Sequence, residues 1–261
     1  MIVFLLVICV ILFALLVYAL VYGLRMRDQI KRAKDWAPSS KIPMILPAEM
    51  DSIFVPEETG VARASEIFYI GTGTGAPCLT SDMEAWILAV LSKKAMKMFE
   101  FGTASGRTTY LWAKNSPPNA SITTITLHPD QLDCYKKESS DNYEGEIAAV
   151  QESIFSQFVY SGTPVESKIR QLFGDSKAFD ETPFTKCCDL IFIDGSHSYS
   201  YVKSDTEKAL KMIASGGMIV WHDYRDDLIH TRGVVQFLNE ISSSIAIKRI
   251  QGTSLAFCRF D

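Results

Sequence analysis

The chain opens with 23 consecutive positions, residues 2–24, that carry no charged side chain. Wound as a helix at about 1.5 Å per residue, the run reaches ~34 Å, enough to cross a bilayer. Further on, apolar and polar positions alternate in short blocks. Ser81 followed by Glu84 is a capping-box pattern, and Met83, Trp86, Ile87, Val90 and Leu91 recur behind it at helical spacing. Five strand-like apolar runs follow, at 95–101, 122–127, 169–173, 190–193 and 218–221, with amphipathic segments between them. That alternation predicts a parallel sheet. After the fourth run, Tyr199, Val202, Thr206, Ala209, Leu210 and Ile213 share one helical face, and Gly216 and Gly217 are expected to end the helix. Runs 245–250 and 255–260 are joined by a short turn around Gly252, which permits only an antiparallel hairpin. Between 131 and 166 the pattern predicts a helix at 147–158 and then a loop over the site.

The chain therefore divides into an anchor at 1–24, a basic juxtamembrane segment and linker at 25–80, and an α/β domain at 81–261. A cleaved secretion signal fits less well, because only Met1 precedes the apolar run and no small-residue cleavage site follows it. Arg25, Arg27, Lys31, Arg32 and Lys34 face a single acid, Asp28, and such clusters stay cytoplasmic. The expectation is a single-pass protein of the cell membrane with its α/β domain on the cytoplasmic side. Pro38, Pro43, Pro47 and Pro56 mark the linker. Gly71, Gly73 and Gly75 imitate a dinucleotide fingerprint, but no strand-to-helix unit surrounds them and Pro77 interrupts it. The six cysteines lack metal-ligand spacing, and a net charge of −4 offers no broad basic surface for nucleic acid.

The candidate chemistry lies at three strand ends. In FEFGTASGRTT, residues 99–109, an apolar strand enters a glycine-bracketed turn that opens into a helix, an arrangement that lets backbone approach a nucleotide-type cofactor. IFIDGSH and MIVWHDY place Asp194 and Asp223 at the carboxyl edge, where open α/β sheets bind ligands. Facing carboxylates can hold a divalent metal that orients and acidifies a hydroxyl. His197 is open to two readings, a general base, or a structural residue that caps the following helix or packs against Asp194. His222 is expected to hold a loop, and His128 and His230 carry no separate signal.

Together these segments resemble the class I S-adenosylmethionine-dependent methyltransferases, in particular the small-molecule and sugar O-methyltransferases related to macrocin O-methyltransferase. The resemblance covers 81–261 and implies a Rossmann-like sandwich with a mostly parallel seven-stranded sheet ending in an antiparallel hairpin. It implies S-adenosylmethionine as cofactor, with Gly102 and Gly106 admitting its methionine portion, Glu100 near its amino group, and Thr103, Ser105 and Thr108 adding hydrogen bonds. Asp175 and Ser176, in LFGDS, match the adenine side. IDGSHSY followed by Asp205 is the most branch-specific piece. Asp194 belongs to both the cofactor and the catalytic set, the latter with His197 and Asp223, and the metal pair, for magnesium, is Asp194 and Asp223. Two positions depart from the pattern. Tyr224 stands where metal-dependent relatives carry an acid or amide, with Asp226 or Asp227 as substitutes, and Leu127 stands at the ribose-gripping acid, with Asp130 or Asp133 as substitutes.

The implied activity is methyl transfer to a hydroxylated small molecule or glycan, with the anchor as membrane contact and a homodimer as the expected association. Two rivals remain: a non-catalytic tethered module of the same fold, and a Gly-Asp-Ser hydrolase built on Gly174, Asp175 and Ser176 with Asp227 and His230. In that hydrolase class the serine motif follows the first strand, whereas here it follows the third.

Overall fold

The computed structural model describes residues 11–25, 27, 41–72 and 80–261. Residues 11–25 form helix α1, with Phe13, Leu16 and Leu20 exposed. The rest of the apolar run, most of the basic cluster, and Gly73, Gly75 and Pro77 lie outside the described residues. Among the described residues, no helix is long and apolar enough to cross a membrane.

Eight strands form one sheet: β1 (Met44–Ile45), β2 (Lys97–Phe101), β3 (Ser121–Thr126), β4 (Ile169–Phe173), β5 (Cys188–Ile193), β6 (Ile213–Trp221), β7 (Lys248–Ile250) and β8 (Ala256–Arg259). Their spatial order is β1-β7-β8-β6-β5-β2-β3-β4. Strands β2 to β6 pair parallel, and β8 lies antiparallel to both β6 and β7. The expected seven strands become eight because Met44 and Ile45, read in the sequence as linker, pair parallel with β7. Pro43 and Pro47 flank β1 and hid it. A proline supplies no ladder N–H, but β1 is an edge strand and Pro43 contributes only its carbonyl, which accepts from Arg249 N at 2.9 Å. Ile42, Met50, Ile53 and Phe54 of the same stretch are buried in the core.

The central strands read as continuous apolar runs because both faces are covered. Alternate residues divide between two layers. Phe99, Phe101, Ile191 and Ile219 join the cluster containing Val202, Met212 and Leu238, from helices α6 (Tyr199–Met212) and α7 (Arg232–Ile241). Met98, Leu190, Phe192 and Val220 pack with Ile87, Leu88 and Trp112, from helices α3 (Asp82–Ser92) and α4 (Arg107–Asn115). The remaining helices are α2 (Pro47–Met50) and α5 (Tyr143–Glu152).

The capping box forms as read, with Ser81 N donating to Glu84 Oε2 at 2.8 Å and Glu84 N donating to Ser81 Oγ at 3.3 Å. Ser81→Ala removes one of these bonds and should cost about 1 kcal/mol in a denaturant melt. Two boundaries move. Helix α6 stops at Met212, and Ile213 already pairs with Cys188. The glycines instead lie inside β6, where Gly216 has φ +78° and the β5–β6 register shifts between Cys188 and Leu190. The helix expected at 147–158 is α5, which starts at Tyr143 and ends at Glu152, leaving 153–165 as turns over the β2–α4 loop.

Candidate active site

Strand order reverses between β2 and β5, since the chain runs outward through β3 and β4 before returning to the other side of β2. A crevice opens at the carboxyl ends of such a pair. Here the two ends are tied backbone to backbone, Asp194 N donating to Phe101 O at 2.8 Å, while on its other side β2 is held to β3 by Gly102 N donating to Ile125 O at 2.8 Å. Gly102 (φ +91°) and Gly106 (φ +79°) both lie in the left-handed region. A Cβ on Gly102 would sit 1.9 Å from the Asp194 carbonyl oxygen, so only glycine lets these strand ends meet.

A cavity of about 490 Å3, mouth included, lies above this junction and is lined by Gly102, Leu127, Tyr135, Glu152, Ser176 and Asp194 among others. A second lobe of about 440 Å3 shares Gly102, Ala104, Glu152 and Asp194 with it and adds Thr80, Glu100, Thr103, Ser105, Arg107 and Thr108. The glycine turn with Glu100, Thr103, Ser105 and Thr108 thus lines one lobe, Ser176 lines the other, and Asp194 lines both. The Glu100 carboxylate is buried and accepts from the hydroxyls of Thr109 and Thr124, the latter at 2.7 Å. Burial raises it to about 8, with the Asp194 charge adding to the effect against the two hydroxyls. Thr103 and Thr124 hydroxyls lie 2.7 Å apart. Asp175 caps the turn Ser176–Ala178 by accepting from Lys177 N at 2.9 Å and does not line either lobe.

At the rim Asp194, His197 and Asp223 converge, each offering a ligand atom within 4.8 Å of the others. His197 Nε2 lies 2.9 Å from Asp223 Oδ2, off the line of a ring N–H hydrogen bond. His222, expected only to hold a loop, is fully inside the cluster. Its Nδ1 is 2.9 Å from Asp194 Oδ1 and 3.3 Å from Asp223 Oδ2, and its Nε2 is 3.4 Å from Glu84 Oε2. Glu84, announced by the sequence as a capping residue, also accepts from Ser254 N at 2.6 Å and Ser254 Oγ at 2.8 Å. Ser254 Oγ in turn accepts from Asp223 N at 3.2 Å, and Asp223 holds a left-handed backbone (φ +57°).

These contacts fix the charges. Burial works against ionisation of Asp223, but the His222 and His197 rings overcome it and hold the carboxyl well below its usual range. Burial likewise pulls His222 down, and the Asp194 and Asp223 carboxylates raise it well above its ordinary value. For His197, burial is outweighed by Glu152 and Asp223, leaving the ring at about 9. Glu152, at the end of α5, is raised to about 7 by burial, against the pull of His197. No sequence signal marked Glu152, because only the tertiary fold swings α5 over the crevice.

The signs combine. His197, Glu152 and Glu100 each hold more protons in the folded than in the unfolded protein between pH 6.5 and about 7 to 9. The stability that His197 adds is complete below pH 6.5 and is lost as pH rises through 9, while burial of the two carboxyls becomes costly above pH 4.5. The melting temperature of the free protein should therefore fall steadily from pH 6.5 to 9, at up to about 1.4 kcal/mol per pH unit for each group.

Several expected partners do not reach the site. Tyr224 is buried and donates from its hydroxyl to Asn239 Oδ1 at 2.6 Å, away from Asp223. Asp226 and Asp227 are exposed, with Asp227 paired to Arg225 at 2.7 Å, so His197 rather than either acid stands third beside Asp194 and Asp223. Leu127 lines the cavity, while Asp130 and Asp133 are exposed and do not. The hydrolase reading fails on geometry. Ser176 and Asp205 line the same lobe, Asp227 is taken by Arg225, and His230 packs against His197 with ring centroids 5.6 Å apart, so no serine–histidine pair forms among the described residues.

Residues 99–224 match Methyltransf_24, a methyltransferase domain. Among solved structures, the SAH-bound methyltransferase PaMTH1 of Podospora anserina aligns with a TM-score of 0.50 at 15% identity, over 70% of this chain and 80% of that one. A structure assigned as a caffeoyl-CoA O-methyltransferase of Staphylococcus aureus gives 0.50 at 15% identity, over 70% and 86%. At that identity the likeness speaks for the fold. No curated protein matches the sequence significantly. The match at 99–224 lies over this sheet and its switch-point crevice, so those residues form a methyltransferase domain.

Proposed function

We propose that the two-lobed cavity binds S-adenosylmethionine and that the methyl group passes to a hydroxyl of a small-molecule or glycan acceptor at the rim. The observation that carries this reading is the meeting of the lobes at Gly102 and Asp194, beside a buried cluster of carboxylates and imidazoles. The lobe along the glycine turn suits the methionine portion. The lobe lined by Leu127, Tyr135, Ser176 and Tyr201 suits the adenosine. The Podospora methyltransferase of like fold is SAH-bound, which supports the choice of cofactor.

Transfer from a sulfonium is an in-line displacement that needs the acceptor oxygen at near-attack distance and its proton removed. The rim supplies both requirements. Asp194 and Asp223 orient the hydroxyl, and His197 holds a proton at neutral pH in the free site, becoming a base only where the Asp223 charge is otherwise engaged. The same residues fit a divalent cation. Asp194 and Asp223 supply the oxygen donors that magnesium takes, and His197, whose ring nitrogens are buried without a hydrogen-bond partner, stands beside them as a nitrogen donor once deprotonated. Such a cation, magnesium in this reading, would orient and acidify the acceptor hydroxyl.

Residues 2–24 we assign to a single-pass anchor, with the enzyme on the cytoplasmic side and a lipid-linked or membrane-proximal glycan as the favoured acceptor. The uncharged run and the basic residues after it support this assignment. The IDGSHSY segment with Asp205 supports the sugar O-methyltransferase branch. Calorimetric titration of the full chain with SAH is the direct test, and absence of binding would refute the proposal. Comparison of glycans and metabolites with and without the protein, seeking the loss of one methylene in mass, identifies the acceptor.

A further inference from the structure

The first residue of α4 is an arginine, which is a costly choice twice over. A cation at a helix N-terminus opposes the helix dipole, and Arg107 is also buried, at 7% exposure. All its contacts run away from its own helix. Nε donates to Ile70 O at 3.2 Å, Nη1 to Thr80 O at 3.0 Å, and Nη2 to Tyr69 Oη and Asp82 Oδ1, each at 2.7 Å. One guanidinium thus joins residues 69–70 to residues 80–82. The fork geometry matters, since an ammonium on a flexible stem cannot reach four divergent acceptors.

Thr80 and Arg107 both line the lobe along the glycine turn. The coil leading to Tyr69 is fastened elsewhere by different residues. Lys93 Nζ donates to Ala64 O and Glu66 O, each at 2.7 Å, and Asn115 at the far end of α4 exchanges bonds with Phe68 N and Phe68 O at 2.7 and 2.9 Å. Tyr69 and Thr72 also bond Asp82 directly at 3.3 Å, but of these fastenings among the described residues only that of Arg107 itself lines the lobe.

We infer that Arg107 is a positioning residue, which fixes the outer wall of the lobe holding the amino-acid end of the cofactor by clamping the Ile70 and Thr80 carbonyls. The inference rests on the cofactor reading above. The geometry confines the effect to one half of the ligand. A loosened wall weakens contacts to the amino-acid portion and leaves the adenosine lobe, lined by Leu127, Tyr135 and Ser176, as it was.

Calorimetry on the full chain with two probes, SAH and adenosine, tests this. Arg107→Lys should weaken SAH at least tenfold and leave adenosine affinity within twofold. Asn115→Ala, which frees the coil away from the cavity, should leave both affinities unchanged. If Arg107→Lys fails to fold, Tyr69→Phe and Asp82→Ala each remove one acceptor and should weaken SAH by a smaller factor with adenosine again unaffected. Equal SAH binding by Arg107→Lys and wild type, or a parallel loss of both probes, overturns the inference while the cofactor reading stands. A wild-type chain that binds neither probe overturns both.

Discussion

Gly102→Ala is expected to abolish SAH binding by the full chain. The new Cβ would lie 1.9 Å from the Asp194 carbonyl oxygen, 2.5 Å from its carbon and 2.8 Å from Gly195 Cα, all of them backbone atoms that cannot swing aside. Relief requires β2 and β5 to part at their carboxyl ends, the two strands that flank the crevice. The left-handed φ of +91° adds a penalty of ~1 kcal/mol, and overpacking costs ~1–3 kcal/mol more. Gly106→Ala gives the internal comparison. Its Cβ would meet the Tyr160 ring at 2.7 Å, which can rotate away, and Phe158 Cβ only at 3.0 Å, with no main-chain atom as near, so its effect should be smaller. Calorimetry and thermal melts of both variants check the order, and wild-type affinity in Gly102→Ala would remove the turn from the cofactor site.

Asp223→Asn should produce the second large effect, on chemistry and stability but not on cofactor affinity. The substitution keeps shape, and asparagine tolerates the left-handed backbone that residue 223 holds at φ +57°. What it removes is the charge between two buried rings, His197 Nε2 at 2.9 Å and His222 Nδ1 at 3.3 Å. Breaking a buried pair by neutralising one partner costs ~3–5 kcal/mol, and loss of an orienting or acid–base group slows transfer by ~100- to 10,000-fold. His197 should titrate well below its value of about 9, which imidazole NMR would read directly. Since Asp223 does not line either cofactor lobe, SAH affinity should stay within a few-fold of wild type. A His197 titration left near 9 would show that Asp223 does not set its charge.

The two variants probe parts of the site that were unequally legible in the sequence. The glycine turn was readable because its constraint is local. A strand, a positive φ and a helix start follow one another in the chain, and each leaves its own residue type. Asp194 and Asp223 were readable for a similar reason, as the polar ends of buried strands. The role of Glu84 was legible only in half. Its spacing from Ser81 announces a helix cap, but nothing local connects it to Ser254, 170 positions away, or to His222. The same holds for Glu152 and Arg107, whose partners come from other elements. The edge strand at Met44 and Ile45 escaped because two residues between prolines carry no period.

By itself the sequence determined the order and type of the main elements, the parallel sheet with its terminal hairpin, the turn at Gly102–Gly106 and the two acids at the strand ends. Periodicity and strand-end chemistry act over a few residues, so the chain displays them directly. Tertiary structure alone decided that His222 sits among carboxylates rather than holding a loop, that Glu152 closes the cavity, and that Asp226 and Asp227 stay outside the group of Asp194, His197 and Asp223. Those outcomes depend on the packing of α3, α5 and the β7–β8 turn over the sheet edge. The charge of a buried group follows from what surrounds it in space, which neighbours in the chain do not specify.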